Sequence, residues 1–224
     1  MSLPRTPEPD LMEDMEQARA YAFADFEEPH NHFIGLIREH FPGEEFDCLV
    51  LDLGCGTADI SQRFAAAFPR MRMHGIDGSE AMLHFARINI DAVRQHEQIR
   101  LFKRTLPVES LPQQQYSAII CNSLLHHLKD PMVLWHTIKQ FAAPGAPVFV
   151  MDLMRPESKE QVDAFTRLYA RDEPLVLQQD FNHSLHAAYR PEEVQAQLEE
   201  AGLIGLEIRV VSDRHLLVFG RAKI

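Results

Sequence analysis

The chain is poor in cysteine, in tryptophan and in positive charge, and nowhere is it apolar for long. Its three cysteines, Cys48, Cys55 and Cys121, stand far apart among 224 residues. An odd count without CxxC spacing argues against a disulfide framework and against a structural zinc site. Reduced thiols in a cytoplasmic protein are the expectation. Lysine and arginine number 22 against 33 acidic residues, a formal net charge of −11. Such a surface repels phosphate backbones, which argues against a broad nucleic-acid interface. No apolar run approaches the roughly 18 residues that a membrane helix needs, and "MSLPRTPEPD" does not read as a signal peptide. What is present, at 46% hydrophobic, suffices for one well-packed domain, expected as a monomer or homodimer.

Apolar periodicity organises that domain. Residues 1–10 carry three prolines and are expected to be loosely ordered. Residues 11–40 repeat apolar positions at helical spacing around Pro29, which predicts two short helices with a break there. "CLVLDLG", "RMHGID", "IRLFKRTL", "YSAIICNS" and "APVFVMDL" read as strands. Between them lie "DISQRFAAAFP", "SEAMLHFARINIDAVRQH" with Ser79 as N-cap, and "PMVLWHTIKQFA", which read as helices. Strands that are apolar throughout and alternate with helices predict a parallel sheet covered on both faces. Residues 154–190 contain no strand-like run and predict an inserted helical pair. "RPEEVQAQLEEAG" reads as a helix with Pro191 in its first turn and Gly202 past its end. "LIGLEIRVVS" and "HLLVFGRAK", with the turn at "SDR", predict an antiparallel hairpin at the sheet edge.

The stretch "VLDLGCGTADI" (residues 50–60) breaks from a strand into glycines. A phosphate loop of the GxxxxGK[ST] type is excluded, since no lysine follows. A dinucleotide fingerprint needs a third glycine where Asp59 stands, which would bring a carboxylate toward a pyrophosphate. S-adenosylmethionine (SAM) carries no phosphate. Its sulfonium and ammonium are cationic and suit acids such as Asp52 and Asp59. Gly54 and Gly56 let the backbone approach a ligand, and Ala58 is small. Asp77, at the tip of the second strand, can accept both ribose hydroxyls, which supports an adenosine without selecting the cofactor.

"VLDLGCGTADI", "IDGSEAML" and "YSAIICNSLLHHLKDP", in that order, resemble the successive motifs of class I SAM-dependent methyltransferases (type 11/12-like). The resemblance covers roughly residues 48–153 and is extended by the terminal hairpin at 202–221. It implies a Rossmann-like three-layer α/β/α sandwich with a mostly parallel seven-stranded sheet and an antiparallel C-terminal hairpin. The expected organisation is one methyltransferase domain: an N-terminal helical cap (1–45), a SAM-binding core (46–153), a helical insert over the substrate (154–190), and a last helix with the hairpin (191–224).

By the same resemblance, Asp52, Gly54, Cys55 and Gly56 form the methionine side of the cofactor site. Asp77 holds the ribose, and Gly78 and Met82 line the adenosine pocket. The family often has an acid after the third strand for the adenine amino group. Here Thr105, or a backbone group beside Leu106, takes that place. Asn122 and Ser123 face the methionyl part. His126 and His127 are the nearest candidate general bases, and adjacent helical residues point about 100° apart, so at most one is expected to face the site. In the insert, His183 and His186 are candidate substrate residues at i, i+3; without a further ligand close by, no metal is expected. Arg155 is a candidate partner for an anionic substrate.

Methyl transfer from a sulfonium is an in-line displacement that disperses positive charge, so positioning and desolvation dominate and a base is needed only for weak nucleophiles. The expected activity is methyl transfer from SAM to a small-molecule acceptor, releasing S-adenosylhomocysteine. The alternatives are an NAD-linked oxidoreductase and a non-catalytic SAM-binding protein.

Overall fold

A computed structural model describes residues 3–8 and 11–223. Two helices, α1 (Met15–Phe23) and α2 (Glu27–His40), precede the sheet. Pro29 does not break the helical run; it lies in the first turn of α2, where its missing N–H has no partner to lose. There follow β1 (Leu49–Leu53), α3 (Asp59–Ala67), β2 (Arg72–Asp77), α4 (Glu80–Ala92), β3 (Ile99–Lys103), β4 (Ala118–Asn122), α5 (Met132–Phe141) and β5 (Pro147–Leu153). The insert supplies the expected pair, α6 (Lys159–Tyr169) and α7 (Leu175–Ala187). Helix α8 (Pro191–Ala201) and strands β6 (Leu206–Val210) and β7 (His215–Arg221) end the described chain. The hairpin turn occupies residues 211–214, where the Val211 amide donates to the His215 carbonyl.

The seven strands run in the order β3-β2-β1-β4-β5-β7-β6. Strands β1 to β5 are mutually parallel, β7 is antiparallel to β5, and β6 to β7. Side chains alternate across each strand, and both faces are buried. Leu51, Leu53, Ile119, Cys121 and Val150 join Trp135 of α5 and Leu198 of α8 on one side. Val50, Ile120, Phe149 and Met151 join Phe33 of α2 and Phe64 of α3 on the other. This is why the strands read as continuous apolar runs. The strand order reverses between β1 and β4, and a crevice opens beyond their carboxyl ends.

The first residues are ordered against the insert, contrary to the loose segment expected. The Leu3 amide donates to the Glu157 carbonyl and the Thr6 amide to that of His186. The Arg5 guanidinium donates to the carbonyls of Ala187, His126 and Leu128 and lies over the Tyr189 ring. Proline removes amide donors but leaves Arg5 and the remaining backbone free to pair. Residues 1, 2, 9 and 10 of that expectation lie outside the described residues.

Candidate functional site

At the carboxyl end of β1 the chain turns through Gly54 and Gly56, both at positive φ. Their amides are not spent alike. Those of Gly54 and Cys55 donate to the Ile76 carbonyl, and that of Gly56 to Asp77 Oδ2 at 2.9 Å. A Cβ on Gly54 would sit 3.0 Å from Leu124, and one on Gly56 3.2 Å from Met82 Cε. Ala58 also adopts a positive φ, of 66°, as α3 begins. Asp77 Oδ1 accepts the Ser79 amide, and Ser79 caps α4 through its hydroxyl, as its position predicts. Asp77 thus braces the glycine loop against β2 while both its oxygens retain lone pairs.

The loop opens onto a cavity of about 420 Å³. Asp52, Gly54, Cys55 and Gly56 line it from β1, and Asp77, Gly78 and Met82 from β2 and α4. Thr105, Leu106, Asn122 and Ser123 complete it, so the eleven cofactor residues expected from sequence border one space. Asp52 is fully buried, and burial pushes its carboxyl up to about 7, opposed by the Ser61 hydroxyl that donates to it. Burial likewise raises Asp77, opposed by its three backbone bonds. Asp59 also borders the cavity but is held by His30 and Arg63, which keep its carboxyl low despite burial.

Sequence reasoning missed the lid of this cavity. Leu11 packs on Gly78, where a Cβ would lie 2.6 Å from Leu11 Cδ2, and the Ser79 hydroxyl donates to the Met12 carbonyl. Tyr21 and His30, from α1 and α2, line the same space. No motif marks them; only the amphipathic spacing of the N-terminal helices hinted that they pack here.

A second cavity, of about 820 Å³, lies under α1, α2, α6 and α7. The two cavities share Leu11, Met12, Tyr21, His30, Asn122, Ser123 and His127. At their junction a short 3₁₀ turn, Leu125–His127, follows β4. His126 is buried; its Nδ1 lies 2.6 Å from Asp152 Oδ1 at the end of β5, and its Nε2 lies 3.5 Å from Glu8 Oε1. His127 Nδ1 lies 3.2 Å from the same Glu8 oxygen. Both imidazoles therefore border the second cavity, not one of them as expected. The turn is not an α-helix, and the far nitrogen of one ring and the near nitrogen of the other reach one carboxylate. Burial pulls the His126 pKa down, but Asp152 and then Glu8 outweigh it and the net shift is upward. Burial raises Glu8.

His183 lines the second cavity. His186 does not border either cavity; its Nδ1 meets the Asn182 carbonyl within α7. Arg155 borders neither. Its guanidinium is buried, 2.5 Å from Glu193 and bonded to the carbonyls of Leu3 and Ala188, so its charge is already matched inside the fold.

A parallel sheet with its last strand inserted antiparallel, a glycine loop after β1 and an acid ending β2 define the class I methyltransferase fold. Comparison with known proteins agrees. Residues 51–148 match the methyltransferase domain family. The ubiquinone biosynthesis O-methyltransferase of Acinetobacter baylyi is 29% identical over 157 residues, covering 69% of this chain and 62% of that protein. Its Bordetella pertussis counterpart is 29% identical over 177 residues, covering 75% and 69%. Among solved structures, a SAM-dependent methyltransferase from Aquifex aeolicus superposes with a TM-score of 0.69 at 17% identity, covering 93% of this chain and 98% of that one. A Haemonchus contortus phosphoethanolamine N-methyltransferase, solved with S-adenosylhomocysteine, gives 0.68 at 13% identity, covering 92% and 56%. Over residues 51–148 the chain is similar to the methyltransferase domain family, and its fold is that of the class I SAM-dependent methyltransferases. The NAD-linked alternative is not favoured.

Proposed function

We propose that the chain moves a methyl group from SAM to an oxygen of a small molecule held in the second cavity. The observation that carries this reading is the junction of the two cavities at Asn122, Ser123 and His127. A methyl donor on one side and an acceptor on the other can meet there without crossing solvent. Bound in the first cavity, SAM supplies an activated methyl group. Asp77 accepts the ribose hydroxyls, Asp52 faces the cationic methionyl end, and Thr105 or the backbone beside Leu106 meets the adenine. Leu11 and Met12 cover the adenosine side and exclude water, which strengthens each polar contact beneath them.

The second cavity is bordered by Glu8, Asp25, Glu27, Glu28, Glu173 and Asp180 against a single arginine, Arg214. Arg214 is already bonded to Asp213. This balance favours a neutral or cationic acceptor and disfavours an anionic one. His126, fixed by Asp152, and His127 are the groups that meet the acceptor's nucleophile. Oxygen is favoured as the acceptor atom by the names of the curated relatives, of which the chain spans 62% in the Acinetobacter case. The same reading has the protein work in the cytoplasm, where three unpaired thiols persist.

Leu177, on α7, lines only the second cavity. Leu177→Trp is expected to abolish S-adenosylhomocysteine formation with a hydroxyl-bearing acceptor found by screening, and to leave SAM affinity within about twofold. Unchanged turnover in the folded variant would move the acceptor elsewhere.

A further inference from the structure

The junction holds a donor set that methyl transfer by positioning alone does not require. Glu8, His126 and His127 each offer one ligand atom, and all three atoms lie within 4.8 Å of one another. Glu8 Oε1 stands 3.5 Å from His126 Nε2 and 3.2 Å from His127 Nδ1. Ligand atoms around a tetrahedral zinc ion, with bonds of about 2.0–2.1 Å, stand roughly 3.3 Å apart. Both distances to the Glu8 oxygen already match such an edge, and the two imidazole nitrogens lie within 4.8 Å of each other.

The surrounding groups fit the same purpose. His126 directs Nδ1 at Asp152; a metal takes the neutral imidazole, and with the proton held on Nδ1 by that carboxylate Nε2 is the nitrogen left for the ion. A carboxylate behind a ligating histidine fixes its tautomer and raises its basicity, and it is the usual outer partner of a protein metal ligand. Asp152 is itself fixed, since Oδ2 accepts the Leu125 amide at 2.7 Å. Glu8 is steadied by the Ser184 hydroxyl at 3.2 Å. The Glu8 side chain is only 8% exposed, and the His126 side chain 3%. His127 is more open, its side chain 25% exposed.

We propose that Glu8, His126 and His127 bind one divalent transition-metal ion, of the class of zinc, iron(II) or cobalt(II), at the inner wall of the acceptor cavity. Two imidazoles and one carboxylate suit this class better than magnesium or calcium, which prefer all-oxygen sites. Three protein ligands leave at least one coordination position, and Glu8, His126 and His127 all border the second cavity, so that position faces the acceptor. A hydroxyl bound there loses its proton to solvent more readily and keeps its oxygen lone pair for the new C–O bond. The pair suggested by i, i+3 spacing, His183 and His186, is not the site, because His186 turns back to its own helix. The proposal rests on the methyltransferase reading only for what the metal does, not for whether it binds.

The test is titration of the chelator-stripped, full-length protein with Co²⁺ followed by its d–d absorption, and with Zn²⁺ by calorimetry. One equivalent of each is expected, with the intense cobalt bands of a low-coordinate nitrogen and oxygen site. Glu8→Gln and His127→Ala are each expected to weaken binding at least tenfold, with unchanged melting temperature in the metal-free state. Absence of one-equivalent binding, or equal binding by the Glu8→Gln/His127→Ala double variant, would overturn the proposal. SAM affinity of the metal-free protein is measured alongside. Its loss would count against the methyltransferase reading, not against the metal site.

Discussion

Asp52 gives the cofactor site a pH dependence whose sign can be worked out. Its ordinary value is 3.8, and burial lifts it to about 7 in the folded protein. An acid raised on folding penalises the folded state wherever the unfolded chain is ionised. Stability of the ligand-free protein therefore falls as pH rises from about 4 to about 7 on this group's account. A cationic ligand prefers the ionised carboxylate, so binding expels a proton below that value. SAM affinity is expected to rise with pH toward about 7, by up to about tenfold per unit, and to level off above it. Calorimetry across a pH series checks this, and Asp52→Asn should flatten the profile. Affinity that does not change with pH would remove Asp52 from contact with the ligand's charge. Asp77 acts differently, because its oxygens hold the loop amides of Gly56 and Ser79. Asp77→Ala removes the ribose acceptor and the brace together, and should weaken SAM binding roughly 10- to 100-fold. Equal affinity in a folded variant would exclude Asp77 from the site.

At the scale of elements, the N-terminal strap depends on Arg5. Its guanidinium joins residues 3–8 to α7 through the Ala187 carbonyl and to the histidine turn through those of His126 and Leu128. Arg5→Ala should cost about 1–3 kcal/mol of that attachment. Faster amide exchange at residues 3–8 and in α7, with the sheet protected as before, is the expected readout; unchanged exchange would mean that the strap is held by its backbone bonds alone. The strands, α3 to α5 and the terminal hairpin are legible in the sequence because their periodicity is set by burial on both faces of the sheet. The strap is not, because its contacts are an arginine on main-chain carbonyls, which leave no pattern. For the same reason Glu8 could not be joined to His126 and His127, and Leu11 and Met12 could not be joined to Gly78. Arg155 misleads in the other direction: a charged residue just past β5 suggests a ligand contact, yet Glu193 on α8 completes it internally.

For the whole molecule, the sheet sets the position of both cavities. The reversal of strand order between β1 and β4 opens the cofactor space, and the antiparallel β7 flanks β5 so that Leu153 stands opposite His215 on the acceptor side. The N-terminal helices and the insert then close over what the sheet leaves open. Among the described residues no helix is long and apolar enough to cross a membrane. The central claim is that the glycine loop, Asp77 and their neighbours accept an adenosyl sulfonium and not a dinucleotide. Calorimetric titration of the purified protein with SAM, S-adenosylhomocysteine and NAD, each separately, tests it most directly. Micromolar binding of the first two with no heat from NAD is the predicted result, and binding of NAD alone would contradict the account from the glycine loop upward.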